Sequence, residues 1–219
     1  MLVRLGDYTS AFNAAKKADI PKVWKEVCFA CVRAKEFRTA SQCGVNIIIH
    51  PDHLEDLIKF YERFGYYEEL ILLLESGMSL ERTHNGIFTE LGIMYAKYDP
   101  MRLMDHARTY CQRLLIPKLI RACEQYHMWN EAVFLHSQYD QFDQAILTMM
   151  EHSPSCWKHD LFAQNIVKVS NHDLFYKAML FYLEEEPMLL NDLLRLLTTK
   201  IDLAKCVAVM KNTGHIALI

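Results

Sequence analysis

Glycine and proline are scarce in this chain, at seven and six among 219 residues. An all-β fold needs more turns than these supply, and a disordered chain needs more breakers, so both classes are excluded. Basic charge is not in excess either. A net charge of −3 and a pI near 6.4 argue against a nucleic-acid binder, which carries a basic stripe. No apolar run approaches the roughly 18 residues that span a bilayer; Leu70-Ile71-Leu72-Leu73-Leu74 is the longest obvious one. The opening Met1-Leu2-Val3-Arg4-Leu5-Gly6-Asp7 has no basic region leading into an apolar one, so no signal peptide is read there. Nucleophile and phosphate signatures are missing as well: there is no GxSxG, glycine-rich phosphate loop or HExxH.

Cysteine is present but in the wrong pattern for a disulfide framework. The seven thiols (28, 31, 43, 111, 123, 156, 206) are odd in number and unevenly spaced, which fits a reduced cytosolic chain. Cys28-Phe29-Ala30-Cys31 spells CxxC inside a helical pattern with no βαβ context, and reads as two small core residues one turn apart. His152, Cys156, His159 and His172 match no established ligand spacing, so neither a metal nor a cofactor is expected. His50-Pro51-Asp52-His53 reads as a helix cap, and Glu184-Glu185-Glu186 as a solvated face.

What the sequence does have is a recurring helical phrase. A composition of 52% hydrophobic and 23% charged residues is ample for a buried core. Met128-Trp129-Asn130-Glu131-Ala132 is followed by Gln141-Phe142-Asp143-Gln144-Ala145: an aromatic, two polar residues, then alanine. Residues three apart share a helix face, so the ring is expected to fill a gap between helices while the alanine lets backbones approach. The phrase returns with Tyr8 and Ala11, Phe37 and Ala40, Tyr67 and Leu70, and Phe175 and Ala178, with a degenerate Met101-Arg102-Leu103-Met104. First positions at 8, 37, 67, 101, 129, 142 and 175 are spaced by 29, 30, 34, 28, 13 and 33 residues. All but one step has the length of a helix pair, the period of a solenoid.

Prolines 21, 51, 100, 117, 154 and 187 each precede an apolar-periodic run, where a missing N–H costs nothing at the first helical position. Asp99 and Ser153 are expected N-caps, and Gly44, Gly65 and Gly77 expected left-handed helix ends. These marks predict an all-α superhelix: an elongated rod of stacked antiparallel hairpins, with about fourteen helices near 5–18, 21–33, 36–43, 52–64, 66–76, 86–97, 100–113, 117–127, 129–139, 142–151, 158–169, 172–184, 187–198 and 200–212. Val45-Asn46-Ile47-Ile48-Ile49-His50 is β-branched and fits a short strand as well as a tight helix; with no partner strand in the chain it reads as a buried connector or a distorted helical turn. Both ends break a pattern, the last at Ile216-Ala217-Leu218-Ile219, so the sequence reads as a piece of a longer chain.

One charge feature stands out. Arg102, Arg108, Arg113, Lys118 and Arg121 face only Asp105 between positions 101 and 122. On a continuous helix Arg102, His106 and Arg113 would fall within about 40° of each other. Solvated charge is one reading; a docking surface for an acidic helical partner, built on Arg102, His106, Arg113, Lys118 and Arg121, is the other. Leu91-Gly92-Ile93-Met94-Tyr95 echoes a tetratricopeptide helix, which leaves a generic peptide-binding helical scaffold as the alternative.

Trp24-Lys25-Glu26-Val27-Cys28-Phe29-Ala30-Cys31-Val32 with Lys35-Glu36-Phe37-Arg38 resembles the clathrin heavy-chain family. So do Tyr67-Glu68-Glu69-Leu70, Phe88-Thr89-Glu90-Leu91, Ile116-Pro117-Lys118, Ala145-Ile146-Leu147-Thr148-Met149-Met150 and Leu189-Leu190-Asn191-Asp192-Leu193-Leu194. The likeness runs in order along the chain; residues 93–115 and 207–219 depart from it. The resemblance implies the proximal part of the triskelion leg: a non-enzymatic rod of heavy-chain repeats on the cytosolic face of coated pits and vesicles. Its implied partners are other heavy-chain legs and the clathrin light chain, an elongated, helical, acidic-rich protein. It also implies repeat boundaries near 44–51 and 187, giving the end of one repeat at 1–45, one complete repeat at 46–186, and the start of the next at 187–219.

Overall fold

The computed structural model describes residues 2–81 and 83–212, and every regular element among them is helical. The α-helices are α1 (Tyr8–Ala18), α2 (Pro21–Arg33), α3 (Phe37–Ile48), α4 (Pro51–Phe64), α5 (Tyr67–Met78), α6 (Asn85–Tyr98) and α7 (Leu103–Tyr110). They continue as α8 (Ile116–Gln125), α9 (Trp129–Gln138), α10 (Phe142–Glu151), α11 (His159–Ile166), α12 (His172–Glu185), α13 (Leu190–Leu197) and α14 (Leu203–Asn212). Pro21 and Pro51 begin α2 and α4, and Pro100 and Pro187 begin short 3₁₀ turns ahead of α7 and α13. The apolar closing residues 216–219 lie outside the described residues.

Five of the repeated phrases open a helix by one backbone device. The residue two positions before the aromatic is left-handed: Gly6, Lys35, Gly65, His127 and Asp140, with φ between 56° and 76°. The next N–H reaches back into the preceding helical turn, as in Glu36 to the Cys31 carbonyl (2.9 Å), Tyr66 to Tyr61 (3.1 Å), Met128 to Cys123 (2.7 Å) and Gln141 to His136 (2.9 Å). These bonds satisfy carbonyls that a helix end would otherwise leave open. The same residue's carbonyl then accepts the N–H of the phrase's fourth residue, Ala11, Ala40, Leu70, Ala132 or Ala145, at 2.9–3.2 Å. The phrase is thus the first turn of the incoming helix of a hairpin.

Within it the two marked positions differ in depth. Ala11, Ala40, Leu70, Ala132 and Ala145 are buried, whereas Tyr8, Phe37, Tyr67, Trp129 and Phe142 are half-buried. The rings lie at hairpin edges: Phe37 packs edge-on to Tyr66 (4.8 Å), and Tyr67 stacks on Tyr98 (3.9 Å). Trp129 stacks on His152 (3.4 Å). Phe175 and Ala178 depart from the pattern; both are buried inside α12 rather than at its start.

Two compact units divide at residues 122 and 123. In the first, α1 packs on α2 and α3, α2 on α3 and α4, α3 on α4 and α5, α5 on α4 and α6, and α6 on α7. In the second, α10 packs on α9, α11 and α12, and α12 on α13. These principal contacts join helices no more than two apart in sequence, so each hairpin buries its apolar face against its neighbours: an α-solenoid. The second unit's core runs through Val133, Ile146, Phe162, Phe175, Tyr182 and Leu193.

The structure decides one local reading and corrects three others. Residues 45–48 are the last turn of α3, the helical one of the readings open to them rather than a strand or a connector, with Ile47 and Ile48 fully buried; burial overrides β propensity. Gly44 and Gly77 end no helix. They lie inside α3 and α5, where a methyl on Gly44 would sit 2.7 Å from Leu73 Cδ2 and one on Gly77 would strike Ile48 Cδ1. Each helix thus presents a bare backbone to the other's branched side chain. Ser153 and Pro154 occupy the turn after α10, not the start of a helix, and α11 begins at His159. The segment 100–113 is α-helical only over Leu103–Tyr110, with 3₁₀ turns on both sides.

Candidate interaction surface

The broken geometry of 100–113 decides where its basic side chains go. A 3₁₀ turn advances about 120° per residue rather than 100°, so Arg102, His106 and Arg113 do not share the face a continuous helix would give them. In α7, Leu103, His106 and Ala107 follow i, i+3, i+4 spacing and are all buried. His106 is a correction to the sequence reading, because it points inward rather than to a surface. Its Nε2–H donates to the Phe88 carbonyl at 2.8 Å, and Tyr95 lies edge-on at 5.3 Å. Burial pushes its pKa below the ordinary histidine range.

The arginines are tied into the chain. Arg102 Nη2 lies 2.6 Å from Glu75 Oε1, and its guanidinium sits 4.7 Å from the Tyr95 ring centre. Tyr95 donates to the same carboxylate at 2.7 Å; burial, then that bond, holds its phenol above the usual range. Arg113 Nε donates to Asn85 Oδ1 and Nη2 to the Thr83 carbonyl, both at 3.1 Å. Its guanidinium lies over the Phe88 ring, 3.8 Å from the ring centre; a lysine could not make this contact together with both hydrogen bonds. Lys118 pairs with Glu90 on α6 while remaining half-exposed, and Arg121 is exposed on α8. Between α7 and α8 the Leu115 N–H is accepted by the buried Thr89 hydroxyl at 2.9 Å, leaving the Leu115 side chain outside.

The face therefore has two layers. Arg102, His106 and Arg113 lock α5 and α6 to the following segment, and Lys118, Arg121 and Leu115 look outward. Glu75, Asn85 and Glu90, which hold the basic side chains, went unread in the sequence. Each lies 27 or 28 residues from its partner, and spacing alone carries no signal for such a pair.

The other candidates settle as neighbours of the core. Burial raises all seven thiol pKa values, Cys31 to about 11 and Cys43 and Cys123 to about 12, the reverse of a nucleophile's environment. His152 stacks on Trp129, His159 Nδ1 meets the Tyr182 hydroxyl at 3.0 Å, and His172 Nδ1 meets the Lys200 carbonyl at 3.2 Å. The Cys156 thiol donates to the Thr148 carbonyl. Among the described residues no helix is long and apolar enough to cross a membrane.

Residues 45–190 match the Clathrin family, described as a region in Clathrin and VPS. The whole chain is 50% identical over 218 residues to clathrin heavy chain 1 of Arabidopsis thaliana and to the clathrin heavy chain of Dictyostelium discoideum. It is 46% identical over the same length to clathrin heavy chain 2 of Homo sapiens. In each case the match covers all of this chain and 13% of the relative. With its stacked hairpins, this chain belongs to the clathrin repeat family and corresponds throughout its length to part of a clathrin heavy chain.

Proposed function

We propose that this chain is a structural segment of the proximal leg of the clathrin triskelion, supporting lattice assembly during endocytosis and intracellular trafficking and carrying the clathrin light chain. The observation that carries this reading is the identity to clathrin heavy chains across the whole 218 aligned residues. It acts on the cytosolic face of coated pits and vesicles. The role is mechanical and needs no catalytic group. Hairpins that bury their apolar faces only on their neighbours make a strut, and weak lateral contacts between legs add up by multivalency across a lattice. We assign residues 46–186 to one complete repeat, flanked by the end of another at 1–45 and the start of a third at 187–219.

We place the light chain on the segment between Arg102 and Arg121. Lys118 and Arg121 meet its acidic residues, Leu115 offers an apolar contact, and Arg102, His106 and Arg113 hold the supporting layer in shape. Charge complementarity of this kind sets orientation and encounter rate more than raw affinity. The test is co-purification of this chain with a clathrin light-chain helix, at low and high salt. The reading expects a complex that weakens as salt rises; an absent complex with the helical fold intact overturns the light-chain assignment.

A further inference from the structure

Asn85 is the only asparagine of the sequence that a glycine follows, and the fold surrounds that pair with the groups its own chemistry needs. Asn85 is the first residue of α6 and is exposed, and His84 caps the helix. His84 Nε2 lies 2.9 Å from the Ile48 carbonyl, which can only accept, so Nε2 carries the proton. Nδ1 therefore presents its lone pair, and it receives the Gly86 N–H at 3.1 Å. That N–H belongs to the first turn of the helix, where the backbone ladder offers it no carbonyl. A methyl at position 86 would lie 2.8 Å from both His84 Cε1 and Nδ1 and would push the ring away, so glycine is what admits it. On the other side Arg113 Nε donates to Asn85 Oδ1 at 3.1 Å, and the bond from Nη2 to the Thr83 carbonyl holds the guanidinium there. An oriented base thus touches the backbone nitrogen, and a cation touches the side-chain carbonyl that this nitrogen can attack.

We propose that Asn85 is a self-modification site, at which the folded chain converts its own amide to aspartate and isoaspartate. The Gly86 nitrogen attacks Asn85 Cγ as its proton passes to His84 Nδ1, and Arg113 stabilises the negative charge that gathers on Oδ1. The bond from Cγ to the side-chain nitrogen then breaks. That nitrogen takes the proton from His84 and leaves as ammonia, and a succinimide remains. Water adds to either carbonyl of the ring and opens it to aspartate or isoaspartate. Closing the ring turns Asn85 about its ψ, and because Asn85 begins α6 that turn leaves the rest of the helix wound. Aspartate keeps the Arg113 contact as an ion pair. Isoaspartate adds a methylene to the main chain and parts His84 from Gly86, so conversion slackens the tie that runs through His84 from α6 to Ile48 at the end of α3.

The test is peptide mapping by mass spectrometry, with isoaspartyl methyltransferase labelling, of the native chain incubated in neutral buffer. Asn85 should show the mass change of amide-to-acid conversion ahead of every other asparagine, and faster than in the same chain unfolded in urea. His84→Phe and Arg113→Met should each slow it by about tenfold or more, with circular dichroism unchanged. The direction separates chemistry from packing: if His84 and Arg113 were only pins, removing either would loosen Asn85 and speed the conversion. The comparison with urea needs no variant, so it stands even where a variant unfolds. Undiminished or faster conversion in either folded variant, or conversion no faster in the folded native chain than in urea, overturns the proposal.

Discussion

Two junctions in the first unit reach tightness by opposite means. Where α3 crosses α5 there is almost nothing but shape: Gly44 receives Leu73, Gly77 receives Ile48, and no polar atom takes part. Where α5 and α6 meet α7 and the start of α8, the joint is polar: Arg102 on Glu75 of α5, His106 on the Phe88 carbonyl, Arg113 on Asn85 and Thr83, and Thr89 on the Leu115 N–H. The first tolerates no added volume and ignores pH. The second accepts small changes of volume but depends on protons and on every donor keeping its acceptor. A solenoid built from both kinds has stiff crossings and corners that respond to solution conditions.

The largest effect should come from filling the bare crossing. Gly77→Val puts branched carbon where Ile48 already lies, and overpacking of this kind costs about 1–3 kcal/mol; urea denaturation should show the loss, with Gly44→Val behaving alike. Equal stability would mean the crossing is loose, and the contrast between the junctions would fail. Next comes the corner's buried hydroxyl. Thr89→Val keeps the shape but strips the Leu115 N–H of its acceptor, and an unpaired buried donor costs about 1–3 kcal/mol; amide exchange at Leu115 should quicken.

A pH dependence separates the junctions more sharply. His106 has its folded pKa lowered by burial, so below the unfolded value of about 6.5 the unfolded chain takes up a proton that the folded one refuses. Stability should be full above that pH and fall beneath it by at most about 1.4 kcal/mol per pH unit. Urea midpoints should therefore drop further for the native chain than for His106→Gln as pH falls, while Gly77→Val shifts both curves by a constant. The smallest change is expected at Lys118→Glu, whose half-exposed pair with Glu90 contributes about 1 kcal/mol or less, so a charge-reversed variant should remain folded for binding work.

Much of the architecture could be read from residues alone because the hairpins repeat their grammar. The aromatic phrase falls on a helix's first turn in five places, and Pro21 and Pro51 begin helices as such prolines should. The misreadings share a cause. A glycine serves equally for a left-handed turn, as Gly65 does, or for a close helix crossing, as Gly44 and Gly77 do, and one sequence cannot separate the two. Conversely, Lys35, His127 and Asp140 take left-handed turns without glycine, held there by the hydrogen bonds of the hairpin they close. The basic face misled for a related reason. The count of arginines was right, but whether an arginine faces water or a carboxylate 27 residues away depends on which helices lie side by side.

The central claim, that this segment is a light-chain-bearing strut of the clathrin leg, is tested most directly by calorimetric titration of a clathrin light-chain helix into the native chain and into Lys118→Glu with Arg121→Glu. The account predicts binding to the native chain and an affinity lower by about tenfold or more in the double variant, with unchanged helicity. Undiminished affinity in the double variant, or no heat of binding with the native chain, would contradict it.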